Sequence, residues 1–212
     1  VNVNRRLELT NRIAATAFVI GGSLFCLGAL LAQAHVGGPR LAGVVFLCGG
    51  VFFTTGGYTS VLLAANGGRD GWRWWSFEPR RLEWASAFVL FVGTLYFGVS
   101  LLAALIGDLT TAQEHRLVWS PEVIGCVLFL ISGHLALLQL RRERRRGQVG
   151  RLDWWIAVVN QVGSALFMVA AIAAFVRPSS GDELAVGIAN WGTFAGAACF
   201  AAAGVMQEFD RP

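Results

Sequence analysis

The stretch Val162-Gly163-Ser164-Ala165-Leu166-Phe167 decides the reading, because its Gly and Phe, four residues apart, recur along the whole chain. The pairs are Gly21/Phe25, Gly49/Phe53, Gly93/Phe97, Gly125/Phe129, Gly163/Phe167 and Gly196/Phe200, one in each of six long apolar runs. Residues four apart stack along one face of a helix. A small residue there lets two helices approach closely, and the Phe beside it fills the space above. One more turn along stand Ala29, Gly57, Leu101, Gly133, Ala171 and Gly204, which the pattern places on that same face. The repeat is a packing device. It predicts an architecture and no chemistry.

Outward from these pairs, the apolar runs are Ile13–Ala32, Leu41–Ala65, Trp84–Gly107, Val123–Leu140, Trp154–Val176 and Leu184–Met206. A helix needs about 20 apolar residues to cross roughly 30 Å of hydrocarbon. The 212 residues are 55% hydrophobic and only 14% charged, whereas soluble domains carry about a quarter charged residues. The expected fold is therefore an all-α integral membrane protein with six transmembrane helices. They group as three hairpins, 1–66, 67–150 and 151–212, within one membrane domain.

All 17 basic residues are Arg, and their distribution votes on orientation. With the N-terminus inside, Arg5, Arg6, Arg12, Arg69, Arg73, Arg80, Arg81, Arg141, Arg142, Arg144, Arg145, Arg146, Arg151 and Arg211 are cytoplasmic. Only Arg40, Arg116 and Arg177 fall outside. Positive charge marks the cytoplasmic side, so both termini are expected there. The basic start and Ala32-Gln33-Ala34 also suit a secretory signal. The first run is longer than a signal's 7–15 apolar residues and carries the Gly/Phe pair, so an uncleaved first helix is expected. Trp72, Trp74 and Trp75 among the Arg of 69–81 fit the headgroup level better than a nucleic acid.

A larger unit repeats as well. Arg80-Arg81-Leu82-Glu83-Trp84 and Gly150-Arg151-Leu152-Asp153-Trp154 each place a carboxylate ten positions before a motif Gly. Acidic groups favour a helix N-terminus through the dipole. Three hairpins entering from one side make parallel repeats about an axis along the membrane normal. Val159-Asn160-Gln161 ahead of Gly163-Ser164-Ala165-Leu166-Phe167, with Asn190-Trp191-Gly192-Thr193-Phe194 leading to Gly196 and Phe200, resembles the YrhK-like family of small bacterial membrane proteins. The resemblance covers about Asp153–Gln207. Gly-Ser becomes Gly196-Ala197 in the last helix and Gly125-Cys126 in the fourth. It implies a helical-hairpin fold and carries over no catalytic residues.

Polar groups within a span are the default functional candidates. His134 lies about 10 Å of helix before Arg141, and Asn160 and Gln161 lie about 13–15 Å beyond Arg151. A His134–Asn160 or His134–Gln161 hydrogen bond is the expectation. The four Cys all lie in apolar runs without Cys-x-x-Cys spacing, so they act as small hydrophobes. His35, His115 and Glu114 lack metal-ligand spacing, and no cofactor or metal is expected. Zinc-protease, phosphate-loop and nucleophile-elbow motifs are absent from the sequence. The expected function is a non-catalytic accessory, structural or sensor subunit of the bacterial plasma membrane. Its cytoplasmic Arg141, Arg142, Arg144, Arg145 and Arg146 meet anionic lipid headgroups. A soluble acidic protein partner suits the same charge, a homo-oligomer is left open, and nucleic acid is not expected. The alternative is a passive channel or facilitator for a small solute.

Overall fold

Local sequence places the helix ends. Gly37, at φ 71°, turns the chain before α2 (Gly38–Asn66), and Pro39 sits in its first turn, where a missing N–H costs nothing. Glu83 stands in the first turn of α3 (Leu82–Ile106). Asp153 accepts a hydrogen bond from Gly150 N at 2.9 Å, capping α6 (Arg151–Ala173). With α1 (Val3–Gln33), α5 (Ser120–Arg144) and α7 (Val186–Phe209), these are the six helices long and apolar enough to span a membrane. A short α4 (Thr111–Glu114) and a π-helical turn (His115–Trp119) lead into α5. The computed structural model describes residues 3–69, 71–107, 109–145 and 150–209. Among them the fold is all helical, apart from one isolated bridge between Val176 and Glu183.

The expected spans differ from these helices at their ends. α1 begins ten residues before Ile13, because the polar turn Arg5–Asn11 continues the helix beyond the apolar zone that hydropathy detects. At roughly 1.5 Å per residue its 31 residues reach about 46 Å, more than the hydrocarbon thickness. The segment expected as an outer loop, 108–121, is helical from Thr111, where Thr110 and Gln113 cap each other. α7 starts at Val186 rather than Leu184. Leu184 N and Ala185 N instead bond back to Phe175 O and Ala173 O, at 2.8 and 2.9 Å.

The helices close into a ring in chain order: α1 packs on α2, α2 on α3, α3 on α5, α5 on α6, α6 on α7, and α7 on α1. In α1–α2, α3–α5 and α6–α7 the motif residues interlock reciprocally. A Cβ on Gly21 would lie 2.9 Å from the Phe53 ring, and one on Gly49 2.6 Å from Phe25. Gly93 meets Phe129 and Gly125 meets Phe97, both at 2.7 Å. Gly196 meets Phe167 at 2.9 Å, and Gly163 meets Cys199 Cβ at 2.9 Å and Phe200 at 3.1 Å. Each Gly also faces its partner's carbonyl, at 2.9–3.3 Å. At these six glycines, two at each of three crossings, an added Cβ would meet its neighbours at 2.6–2.9 Å, so something would have to shift.

The second set of small residues serves other seams. Gly57 packs on the backbone of Phe91 in α3, Gly133 on Gln161 in α6, and Gly204 on Ala15 O and Val19 in α1. Eight residues advance a helix by about 80° beyond two full turns, so this set faces the next helix rather than the hairpin partner. The expectation of one shared face is corrected accordingly. Outside the ring, Val51, Leu102, Ile106, Val162, Val169 and Ile172 are exposed. A girdle of exposed aliphatic side chains is what a lipid-facing surface requires.

Candidate functional site

The six motif Phe do more than seat the hairpins: they converge at the centre of the ring. Phe167 stacks on Phe200 with centroids 5.5 Å apart, and reaches Phe25, Phe97 and Phe129 at 6.1–6.4 Å. Phe25 meets Phe53 edge-on at 5.2 Å, and Phe97 meets Phe129 at 5.1 Å. The remaining void beside Phe25, Phe53, Phe97, Phe129 and Phe167 is about 10 Å³, at the lower limit for one water. Its polar neighbour, Thr94, donates its hydroxyl to Phe91 O in its own helix at 2.6 Å. A void that small and apolar stays dry.

Cavities enter the ring from both ends. The first, about 320 Å³, opens where α1 begins and α7 finishes, and all six long helices wall it. Asn11, Ser60, Glu83, Ser86, Gln139, Asp153 and Gln207 supply its polar lining. Gln207 Nε2 donates to Asn11 Oδ1 at 2.8 Å, tying α7 to α1. Ser86 Oγ donates to Ser132 O at 2.9 Å and Ser132 Oγ to Ser86 O at 2.8 Å, a buried reciprocal pair joining α3 to α5. Glu83 pairs with Arg81 at 3.0 Å.

The second cavity, about 190 Å³, enters from the opposite end and is floored by Phe25, Phe97 and Phe167. Ser100, Glu122, Glu183, Asn190 and Thr193 supply its polar lining. The rim is pinned by side chains from the π-helical turn. The His115 ring hydrogen-bonds Val176 O and stacks on Phe175, while Trp119 Nε1 donates to Ala171 O at 2.9 Å. Burial, and then the nearby Glu114 carboxylate, push Glu183 above the ordinary carboxylate range.

The polar trio singled out from sequence does not meet. His134 is exposed on the outer surface of α5. Gln161 lies instead in the notch over Gly133, one residue and about 100° away around the helix, with its buried Oε1 unpartnered. Asn160 accepts the Ser164 hydroxyl on its backbone carbonyl at 2.9 Å. None of the three lines either cavity, and the expected His134 hydrogen bond is not formed. Glu122 was not among the sequence candidates, because it falls just outside the expected span Val123–Leu140. The signal was available: Glu122 precedes Gly125 by three and Phe129 by seven, so it shares the face that carries the plug.

Arg141, Arg142, Arg144 and Arg145 are exposed around the C-terminal end of α5, with the Arg144 guanidinium 5.6 Å from the Trp154 ring centroid. Arg146 and Arg211 lie outside the described residues. The Trp-rich loop after α2 is built on Asn66, which bonds Leu62 O, Arg73 O and Arg73 N. Trp74, Trp75 and Phe77 are exposed from it. Hydrogen bonds from Arg81 and Arg69 hold Glu78 below the ordinary carboxylate range. Among the described residues no three His, Cys, Asp or Glu side chains are placed to hold a metal ion.

No family model matches the chain. No curated protein and no solved structure is similar to it either. The likeness to YrhK-like proteins thus rests on the motif residues of the last hairpin alone.

Proposed function

We propose that this chain forms a gated passive passage for a small solute across the bacterial plasma membrane, closed in the form described. The carrying observation is the pair of cavities, each with several polar side chains in its lining, at opposite ends of the bundle, with the layer of six Phe rings between them. A hydrophobic constriction between wet vestibules stops water and solute by dewetting, and opens when the rings part. Three parallel hairpins explain why each helix contributes one Phe to one layer. Both termini are cytoplasmic in this reading, supported by the Arg distribution. The first cavity then opens to the cytoplasm, beside Arg141–Arg145 and the anionic headgroups they would meet. Membership of the YrhK-like family belongs to the same proposal. The passage is non-catalytic, with no cofactor, metal or nucleic acid.

A second reading is favoured by the dryness of the plug: an accessory, structural or sensor subunit that acts through helix contacts and its basic face, alone, with a protein partner or as a homo-oligomer. Solute flux separates the two. Vesicles containing the Phe97→Ala/Phe167→Ala protein should release a small entrapped solute faster than vesicles with the unaltered chain. Equal rates from folded protein would leave the accessory reading.

A further inference from the structure

Resting on the passage reading, we infer that the axial route selects small cations, with Glu122 and Glu183 in the second cavity setting the preference. The chain as a whole is basic, with 17 Arg against 13 acidic residues. Yet every ionisable side chain lining the two axial cavities is a carboxylate: Glu83 and Asp153 in the first, Glu122 and Glu183 in the second. Among the described residues no Arg lines either cavity. A cleft of one charge sign with low-dielectric walls concentrates the opposite ion and repels its own kind.

The two cavities are not equivalent. In the first, Glu83 is balanced by Arg81 at 3.0 Å and Asp153 is engaged by Gly150 N at 2.9 Å. In the second, no hydrogen bond or ion pair engages the Glu122 or Glu183 side chain among the described residues. They come from different parts of the chain, α5 and the α6–α7 connection, and face one space whose floor is the Phe plug. A solute waiting above the plug therefore meets two carboxyl groups that have no ion-pair partner among the described residues, beside Ser100, Asn190 and Thr193. That chemistry attracts a hydrated monovalent cation or a small organic ammonium. Anions are excluded by the same field. Among the described residues no third His, Cys, Asp or Glu joins them, which argues for transient contact rather than a tightly held metal.

The test uses the whole chain in a planar bilayer under a KCl gradient, with the plug opened by Phe97→Ala/Phe167→Ala. Should the double variant fail to fold, Phe97→Ala alone serves, since the Phe97 ring is only partly buried. The expected reversal potential has the cation sign. Adding Glu122→Gln and Glu183→Gln should lower the K⁺ over Cl⁻ permeability ratio about tenfold, while adding Glu83→Gln should change it far less. Conductance without charge preference, or with a preference indifferent to Glu122 and Glu183, would overturn the cation inference and leave the passage standing. No conductance from a folded opened variant would overturn the passage, and the inference with it.

Discussion

The centre of the ring and its two ends are built by the same six helices, yet they obey opposite rules. At the centre, each Gly is filled by the ring of its hairpin partner, and Thr94 keeps its hydroxyl within its own helix. Toward the ends the ring widens into cavities of about 320 and 190 Å³, where Asn, Ser, Thr, Gln and carboxyl side chains join the apolar lining. The difference follows from side-chain size at the contact. A Gly-on-Gly crossing brings backbones close enough for six rings to occlude the axis, and beyond the crossing the helices have no such fit. One bundle can therefore be sealed in its middle and wet at both mouths.

The comparison breaks most severely if the crossing itself is blocked. Gly125→Leu would drive a branched side chain into the Phe97 ring and the Gly93 carbonyl, 2.7 and 3.1 Å from the new Cβ. Overpacking of a tight contact costs about 1–3 kcal/mol or more; here a backbone carbonyl cannot yield. The expected outcome is loss of folded protein, read by size exclusion in detergent. Next comes the plug. Phe97→Ala/Phe167→Ala should raise solute flux through vesicles by at least about tenfold if dewetting is the barrier.

A smaller effect sharpens the polar side of the comparison. Ser86→Ala removes a buried hydroxyl that donates to Ser132 O, and it should lower stability by about 0.6–2 kcal/mol, read by unfolding in mixed micelles. Flux should stay at its closed level, because the plug is untouched. The smallest effect concerns the loop after α2. Glu78 has its folded pKa lowered from 4.5 by Arg81 and then by Arg69. Its contribution is present above the unfolded value near 4.5 and is lost as the pH falls through the lower folded value. Acidification below pH 4.5 should loosen the loop and change Trp fluorescence, leaving helix content constant. The more open Arg69 and Arg81 side chains, which water screens, keep this effect modest.

The six spans, their order and the Gly/Phe crossings were legible because small-residue spacing is a local signal that survives any arrangement of neighbours. Ring closure was not legible. It depends on Gly204 meeting Ala15 and Gly22 meeting Ala197, pairs separated by most of the chain. The site was misread for a related reason. His134, Asn160 and Gln161 stand out in a hydropathy profile, but facing is set by rotation about the helix, and one residue turned His134 outward. Glu122 carried the better signal in its register with Gly125 and Phe129. It falls outside the expected span because the turns from Thr111 to Trp119 carry polar residues, even though they continue the helix.

The most direct measurement is cysteine accessibility along the axis, with Cys26, Cys48, Cys126 and Cys199 first replaced by Ala. Single cysteines at Ser60→Cys, Thr94→Cys and Thr193→Cys sample the first cavity, the plug and the second cavity. A charged thiol reagent that cannot cross the membrane is added to either side of sealed vesicles. The account predicts that Ser60→Cys reacts from one side only, Thr193→Cys from the other only, and Thr94→Cys from neither. Labelling of Thr94→Cys at the rate of its neighbours, or of Ser60→Cys from both sides, would contradict a dry aromatic barrier between two wet vestibules.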